Sequence, residues 1–198
     1  MIKIIIYFSF VLICNLLIKK LNFLPNFNEH KHQLFMSNQN VPLTGGFYIL
    51  ILLFIVFLQN INLLFFFICI FLIGFAGDKN YLISPTKRLI LQILTVTLFV
   101  HHFELFITTS RIEIFDIFLN NFYFKYVFSV FCILILINGS NFIDGLNGLL
   151  LSYFVIVIFI FYKTGLFDVF NLNQNELFFF FTSLILLVLL NYLNIFFR

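Results

Sequence analysis

An all-α fold, a polytopic bundle of about seven transmembrane helices, is the class this sequence predicts, and three observations carry it. Of the 198 residues, 63% are hydrophobic and only 10% are charged, against roughly 25% charged in a soluble domain. The mean hydropathy is +1.12. Continuous apolar stretches recur at about 2–18, 46–59, 62–76, 89–107, 126–138, 148–162 and 177–195. A water-soluble fold is excluded on these grounds. At about 20 apolar residues per crossing, the chain is filled by one transmembrane domain, 1–198, with no separate soluble part.

The first stretch follows Lys3 and has the outline of a secretion signal, but no small-residue cleavage site follows at Leu16 to Leu21, so it is read as a helix. The other stretches follow in order, several of them shorter than a full crossing, so their helices are expected to run into the flanking polar segments. Seven crossings put the two ends of the chain on opposite sides. One set of loops then carries Lys19, Lys20, Lys31, Lys79, Lys87, Arg88 and Arg198, the other Lys3, Arg111, Lys125 and Lys163. Because Lys and Arg are retained on the inner face, the first set is expected to be cytoplasmic. Cys14, Cys69 and Cys132 each sit within an apolar run without a C-x-x-C partner, and are expected to be small core residues rather than disulfides or zinc ligands.

Polar chemistry gathers on that same side. Gly77-Asp78-Lys79 ends one apolar run, and after a short loop Ser84-Pro85 has the form of an N-cap and first helical residue, with Lys87 and Arg88 in the first turn. A carboxylate, three cations and a helix N-terminus suit a phosphate-bearing ligand with a metal ion. A charged loop that merely fixes topology accounts for the same residues, and spacing alone favours it. The stretch Asn138-Gly-Ser-Asn141-Phe-Ile-Asp144-Gly-Leu-Asn147-Gly148 places Asn, Asn, Asp and Asn at three-residue intervals beside a very apolar span. Polar groups are costly at membrane depth and persist mainly where they line a cavity or bind something. On a helix, such steps keep neighbouring side chains on adjoining positions of one face. A Gly-rich turn capped by its own side chains is the alternative, but four such residues exceed what a tight turn needs. Val41-Pro42-Leu43-Thr44-Gly45-Gly46 leads into a span with paired glycines that permit close backbone approach or positive φ. His30 and His32 read as loop residues, and His101, His102 and Glu104 as interfacial ones near the opposite face.

Taken in this order, the segments resemble the polyprenyl-phosphate N-acetylhexosamine-1-phosphate transferases of glycosyltransferase family 4, over about residues 24 to 198. A Pro-x-x-Gly-Gly entry matches Pro42 to Gly46. A Gly-x-x-Asp-Asp followed by Ser-Pro-x-x-Arg-x-x-x-Gln matches Gly74 to Asp78, then Ser84, Pro85, Arg88 and Gln92, with Gly77 standing where the family has its first acid. An Asn-x-x-Asn-x-x-Asp-Gly-x-x-Gly-Leu matches Asn138, Asn141, Asp144, Gly145, Gly148 and Leu149 without a gap.

The resemblance implies transfer of a sugar 1-phosphate from a UDP-sugar to polyprenyl phosphate with release of UMP, in cell-wall, lipopolysaccharide or other lipid-carrier synthesis. It implies Mg2+, with Mn2+ as a substitute. It makes Asp78 and Asp144 the catalytic residues and Asp78 and Asn141 the metal ligands. Lys79, Lys87, Arg88, Asn138, Asn141 and Asn147 become substrate-binding residues. The implied partners are the UDP-sugar, the polyprenyl lipid and the membrane, with a homodimer as a candidate assembly and no nucleic acid. The implied location is a bacterial inner membrane, active face cytoplasmic. The family continues with a Gly-Asp and a His-bearing loop where this chain ends at Asn194 to Arg198, so a short, degenerate or fragmentary member is also expected. Two rivals stand beside this reading. One is a non-catalytic paralogue that binds nucleotide sugar or polyprenyl lipid. The other is a small transporter or flippase, against which the motifs cluster at one face instead of the midplane of broken helices.

Overall fold

A computed structural model describes residues 2–21, 44–79, 81–82, 84–143, 149–164 and 174–192, and every regular element among them is an α-helix. The helices are α1 (Ile2–Lys20), α2 (Gly45–Val56), α3 (Ile61–Asp78), α4 (Pro85–Phe103), α5 (Glu113–Leu119), α6 (Phe122–Ile143), α7 (Leu149–Lys163) and α8 (Gln174–Tyr192). Each of the seven apolar stretches contains one long helix, and α5 is an additional short one. Among the described residues two helices are long and apolar enough to cross a bilayer, α3 with 18 residues at a mean hydropathy of 2.2 and the Phe122–Ser140 part of α6 with 19 residues at 1.8. Only 17% and 11% of these two windows is buried. Core helices of a soluble fold would be mostly covered, whereas apolar surface this broad needs lipid or a partner. Among the described residues, further apolar helical segments are Ile2–Ile18, Gly45–Val56, Leu150–Lys163 and Gln174–Leu190.

The helices divide into two compact units, residues 1–59 with 142–198, and residues 60–141. In the first, α8 is the hub, touched by α1, α2 and α7. Its apolar side chains pack by interdigitation, with Leu52, Leu187 and Val11 fully buried and the rings of Tyr7 and Phe179 meeting edge to face at 6.0 Å. Two polar contacts tie helices of this unit together: the Tyr7 hydroxyl donates to the Tyr48 carbonyl at 2.8 Å, and the buried Thr44 hydroxyl donates to Asn15 Oδ1 at 3.3 Å. Gly45 and Gly46 are the first two residues of α2, not an irregular segment ahead of it, and Thr44 is the residue at its N-cap. Pro42, His30 and His32 lie outside the described residues.

In the second unit α3 and α4 form an antiparallel hairpin. At one end Asn62 Nδ2 and His102 Nε2 lie 3.0 Å apart, and at the other Gly77 lies against Arg88. The chain leaves α4 through Glu104, a left-handed C-cap at φ 51°, whose N–H bonds the Val100 carbonyl. Such a residue satisfies a helix-end carbonyl at a cost of about 1–2 kcal/mol for a side chain other than Gly. The chain then continues without regular structure to α5. The residues read as interfacial, His101, His102 and Glu104, thus close the end of the hairpin away from Gly77.

Helix α6 starts where α4 stops, with the Tyr126 hydroxyl donating to the Thr97 carbonyl at 2.9 Å and Ser129 Oγ accepting from the Ile107 N–H at 2.9 Å. Val130 is buried with Val96 and Val100, and Ile133, Leu134 and Ile137 continue the packing toward the other end. α6 is therefore antiparallel to α4. Cys14, Cys69 and Cys132 are free and half-buried on their helices, so they are not the core residues the apolar runs imply.

The connection from Thr109 to Asp116 is organised by one carboxylate. Asp116 accepts from the Ser110 N–H at 2.6 Å, the Ser110 hydroxyl at 2.7 Å and the Thr109 hydroxyl at 2.9 Å. The backbone N–H of Ser110 foremost, then the hydroxyls, holds this carboxyl below the usual aspartate range. A lowered folded-state value means the contribution is present above the ordinary carboxylate pKa and is lost as the pH falls through the folded one. Protection of the Ser110 amide, its exchange measured against the intrinsic rate at the same pH, is therefore expected to be high at neutral pH and to fall on acidification below the ordinary carboxylate range, and an Asp116→Ala chain should show low protection at both.

Candidate functional site

The hairpin geometry decides which of the chemistry-bearing residues share an end. Asp78 is the last residue of α3 and is exposed, with Lys79 at the C-cap, where its N–H bonds the Phe75 and Gly77 carbonyls. The turn is held onto α3 by the Tyr81 and Leu82 N–H groups, which both bond the Ala76 carbonyl, at 2.9 and 3.1 Å. Ser84 is the N-cap of α4 and Pro85 its first residue, as the sequence indicates. The Ser84 hydroxyl caps no backbone N–H, however, and lies 2.7 Å from the Thr86 hydroxyl. Lys87 points into solvent, while Arg88 is half-buried and leans on α3: a Cβ added to Gly77 would lie 3.3 Å from Arg88 Nη1 and 3.4 Å from its Cδ. The first-turn cations, the α4 N-terminus and Asp78 thus meet at one end of the unit.

The amide residues of α6 reach that same end. Asn138 lies eight residues beyond Val130, and Arg88 eight residues before Val96. With Val130 packed on Val96 and the helices antiparallel, both stand ~12 Å along the axis from that contact in the same direction. The helix persists to Ile143, so Asn138 and Asn141 are three positions apart on α6 and lie toward one side of it, not in a turn. Asn138 donates its amide to the Leu134 carbonyl at 3.0 Å, and the Ser140 hydroxyl donates to the Ile137 carbonyl at 2.7 Å. The nitrogen of Asn138 is thus used within its own helix, and its carboxamide oxygen is what it can offer a cation. The side chain of Asn141, and all of Asp144 and Asn147, lie outside the described residues.

One residue of the motifs gains weight from the structure. Gln92 follows Arg88 by one turn on the face of α4 that continues into Val96 and Val100, is buried, and its Oε1 has no hydrogen-bond partner among the described residues. Leaving such an acceptor unmade costs about 1–3 kcal/mol. In the sequence the only signal is a Gln at the fourth position after an Arg within an apolar run. Replacing it by Met removes the orphaned oxygen at similar volume. A Gln92→Met chain is expected to unfold at the same or a higher temperature in detergent, and a drop of several degrees would show that the oxygen is satisfied.

Among the described residues no three His, Cys, Asp or Glu side chains come together, and Asp78 is the carboxylate present at this end. That set does not make an all-protein cage. It does fit a divalent ion of the Mg2+ kind, which is commonly held by one or two carboxylates together with substrate phosphates and water.

The arrangement is an all-helical bundle, and at one end of its 60–141 unit the described residues bring Asp78 together with Lys79, Lys87 and Arg88. The chain belongs to glycosyl transferase family 4, whose family model matches residues 60–196. No curated protein and no solved structure matches it.

Proposed function

We propose that this protein transfers an N-acetylhexosamine 1-phosphate from a UDP-sugar to polyprenyl phosphate at the cytoplasmic face of a bacterial inner membrane. The observation that carries the reading is that Asp78, Lys79, Lys87 and Arg88 share one end of the α3–α4 hairpin, the end toward which α6 runs with Asn138, in a member of this family. In the reaction an oxygen of the lipid phosphate forms a bond to the phosphorus that bears the sugar, and the bridging P–O bond to UMP breaks. The electron pair leaves on UMP. Both reactants are polyanions, so attraction and orientation dominate the chemistry required of the protein.

Lys79, Lys87 and Arg88 offset the repulsion between the two phosphates, and the α4 N-terminus adds backbone N–H groups facing the same way. Arg88 has the flat fork that grips phosphate oxygens in pairs, and its stem is steadied against Gly77. Asp78, with the oxygens of Asn138 and Asn141, would hold Mg2+, which when bound neutralises charge on the pyrophosphate. Asp144 and Asn147 are assigned by resemblance to the nucleotide side of the same ligand.

Membranes carrying the chain, supplied with a labelled UDP-N-acetylhexosamine, polyprenyl phosphate and Mg2+, are expected to form a lipid-linked sugar pyrophosphate and UMP in equal amounts. Label in lipid without UMP, or UMP without labelled lipid, contradicts the proposal. A second reading is favoured by one feature: Gly77 puts no carboxylate beside Arg88, where the resembled enzymes carry an acid. On that reading the chain binds nucleotide sugar or polyprenyl lipid without turnover. Saturable UDP-sugar binding to membranes that form no product distinguishes it.

A further inference from the structure

The connection between α4 and α6 is the part of this unit that transfer chemistry leaves unused, and its short helix is apolar on two sides. One side is internal. Leu119 is buried, and the Phe115 ring lies 5.7 Å from Phe124 and 5.1 Å from Phe128 of α6, with Phe118 also 5.7 Å from Phe124. The other side is bare: Ile114, Ile117 and Phe118 recur at the spacing of one helix face and are 73%, 70% and 54% exposed. The polar edge holds Glu113 and the Asp116 knot with Thr109 and Ser110.

Depth decides what covers the bare face. Phe124 and Phe128 both lie inside the Phe122–Ser140 window of α6 that is long and apolar enough to span. They stand ~3 and ~9 Å from its start at 1.5 Å per residue. A helix packed on them sits at the level of the headgroup–acyl boundary, not out in water. α6 itself carries surface that needs lipid, since Val127, Phe131 and Ile135 form an exposed stripe along it. Flanking side chains suit that depth. Tyr123 is exposed, and Lys125 Nζ lies 5.0 Å from the Phe106 ring and 5.8 Å from the Phe122 ring, a long stem on aromatic surface with its charge at the rim. A second copy of the chain is a poorer occupant, because three side chains fall far short of the roughly 800 Å2 per partner of a stable interface.

We infer that α5 is an interfacial helix whose Ile114–Ile117–Phe118 face is docked in the lipid boundary, at the end of the unit opposite Asp78 and Arg88. It acts as a membrane float that fixes the depth of α6. The inference rests on the reading of the chain as bilayer-spanning and not on its chemistry. Lipid burial of such a face combines apolar area with a polar edge left in the headgroups.

The chain contains no Trp, so a single introduced indole reports its own surroundings. Ile114→Trp and Phe118→Trp chains, reconstituted in phosphatidylcholine vesicles brominated either near the headgroup or near the chain ends, are expected to emit at short wavelength. They should lose more emission to the shallow bromines than to the deep ones. A Phe131→Trp chain, its indole near the middle of the window, should lose more to the deep bromines. Unquenched, long-wavelength emission from residues 114 and 118 beside a quenched residue 131 overturns the inference and puts α5 in water. Short-wavelength emission without quenching, together with disulfide-linked dimers of an Ile114→Cys chain, overturns it in favour of a second copy. Loss of quenching at residue 131 as well overturns the bilayer reading itself and the inference with it.

Discussion

Membranes carrying an Asp78→Asn chain are expected to lose sugar-phosphate transfer by about 10²–10³-fold, the scale on which one preorganised electrostatic group acts. They should do so without losing stability. Asp78 is the final residue of α3, where the partial negative charge of the helix end disfavours a carboxylate by about 0.3–1 kcal/mol. Asparagine has nearly the same shape and keeps an acceptor oxygen for the contacts Asp78 makes, while removing the charge relieves that repulsion. A residue retained for folding would behave in the opposite way, with activity falling only as the protein unfolds. Paired measurements of labelled transfer and of thermal unfolding in detergent separate the two. A fall in transfer with an unchanged or raised unfolding temperature supports the assignment, and full transfer by the Asp78→Asn chain refutes it.

Arg88→Ala is expected to raise the KM for the anionic reactants and lower kcat/KM by a factor of about ten to a hundred, which corresponds to the roughly 1.5–3 kcal/mol of a charge-assisted hydrogen bond. The half-buried guanidinium lies against the Gly77 backbone, so its head is held near the end of α3 instead of sweeping through solvent. Lysine retains the charge but not the planar fork. Arg88→Lys should therefore fall between the wild-type and Ala chains, and the loss should shrink at high salt for the Lys chain less than for the Ala chain if long-range attraction is the larger part. Lys87 is exposed and free to move, so Lys87→Ala should cost less than Arg88→Ala. Unchanged KM values in the Arg88→Ala chain would remove Arg88 from the substrate.

The long helices were legible because each fills an apolar stretch whose period needs no partner to be read. α5 was not. Seven residues with Glu113 and Asp116 among apolar ones carry too little periodicity, and what fixes the helix is packing of Phe115 and Leu119 and the Asp116 knot, none of which a local pattern contains. The end of α6 also outran its apolar stretch. Asn138 and Ser140 look like loop residues by type, yet each spends a donor on a carbonyl of its own helix and lets it continue to Ile143. Of the site, the turn from Asp78 through Ser84-Pro85 could be read directly, since helix ends have local signatures. That Arg88 rests on Gly77, and that Asn138 stands level with Arg88, depends on two antiparallel packings that spacing does not encode. The orphaned oxygen of Gln92 became visible only once its neighbours were known to be apolar.

Transfer requires the acidic, basic and amide segments to face the same aqueous compartment. Single cysteines at Tyr81, Leu146 and Tyr123, in a chain whose Cys14, Cys69 and Cys132 are replaced by Ala, can be tested with an impermeant maleimide on sealed vesicles of known orientation. Tyr81 and Tyr123 are 80% and 79% exposed at opposite ends of the 60–141 unit, and Leu146 follows the end of α6 by three positions. Labelling of 81 and 146 from the cytoplasmic side, with 123 labelled only from the other, is the predicted result. Labelling of 81 and 146 from opposite sides would contradict the shared site and the transfer reaction built on it.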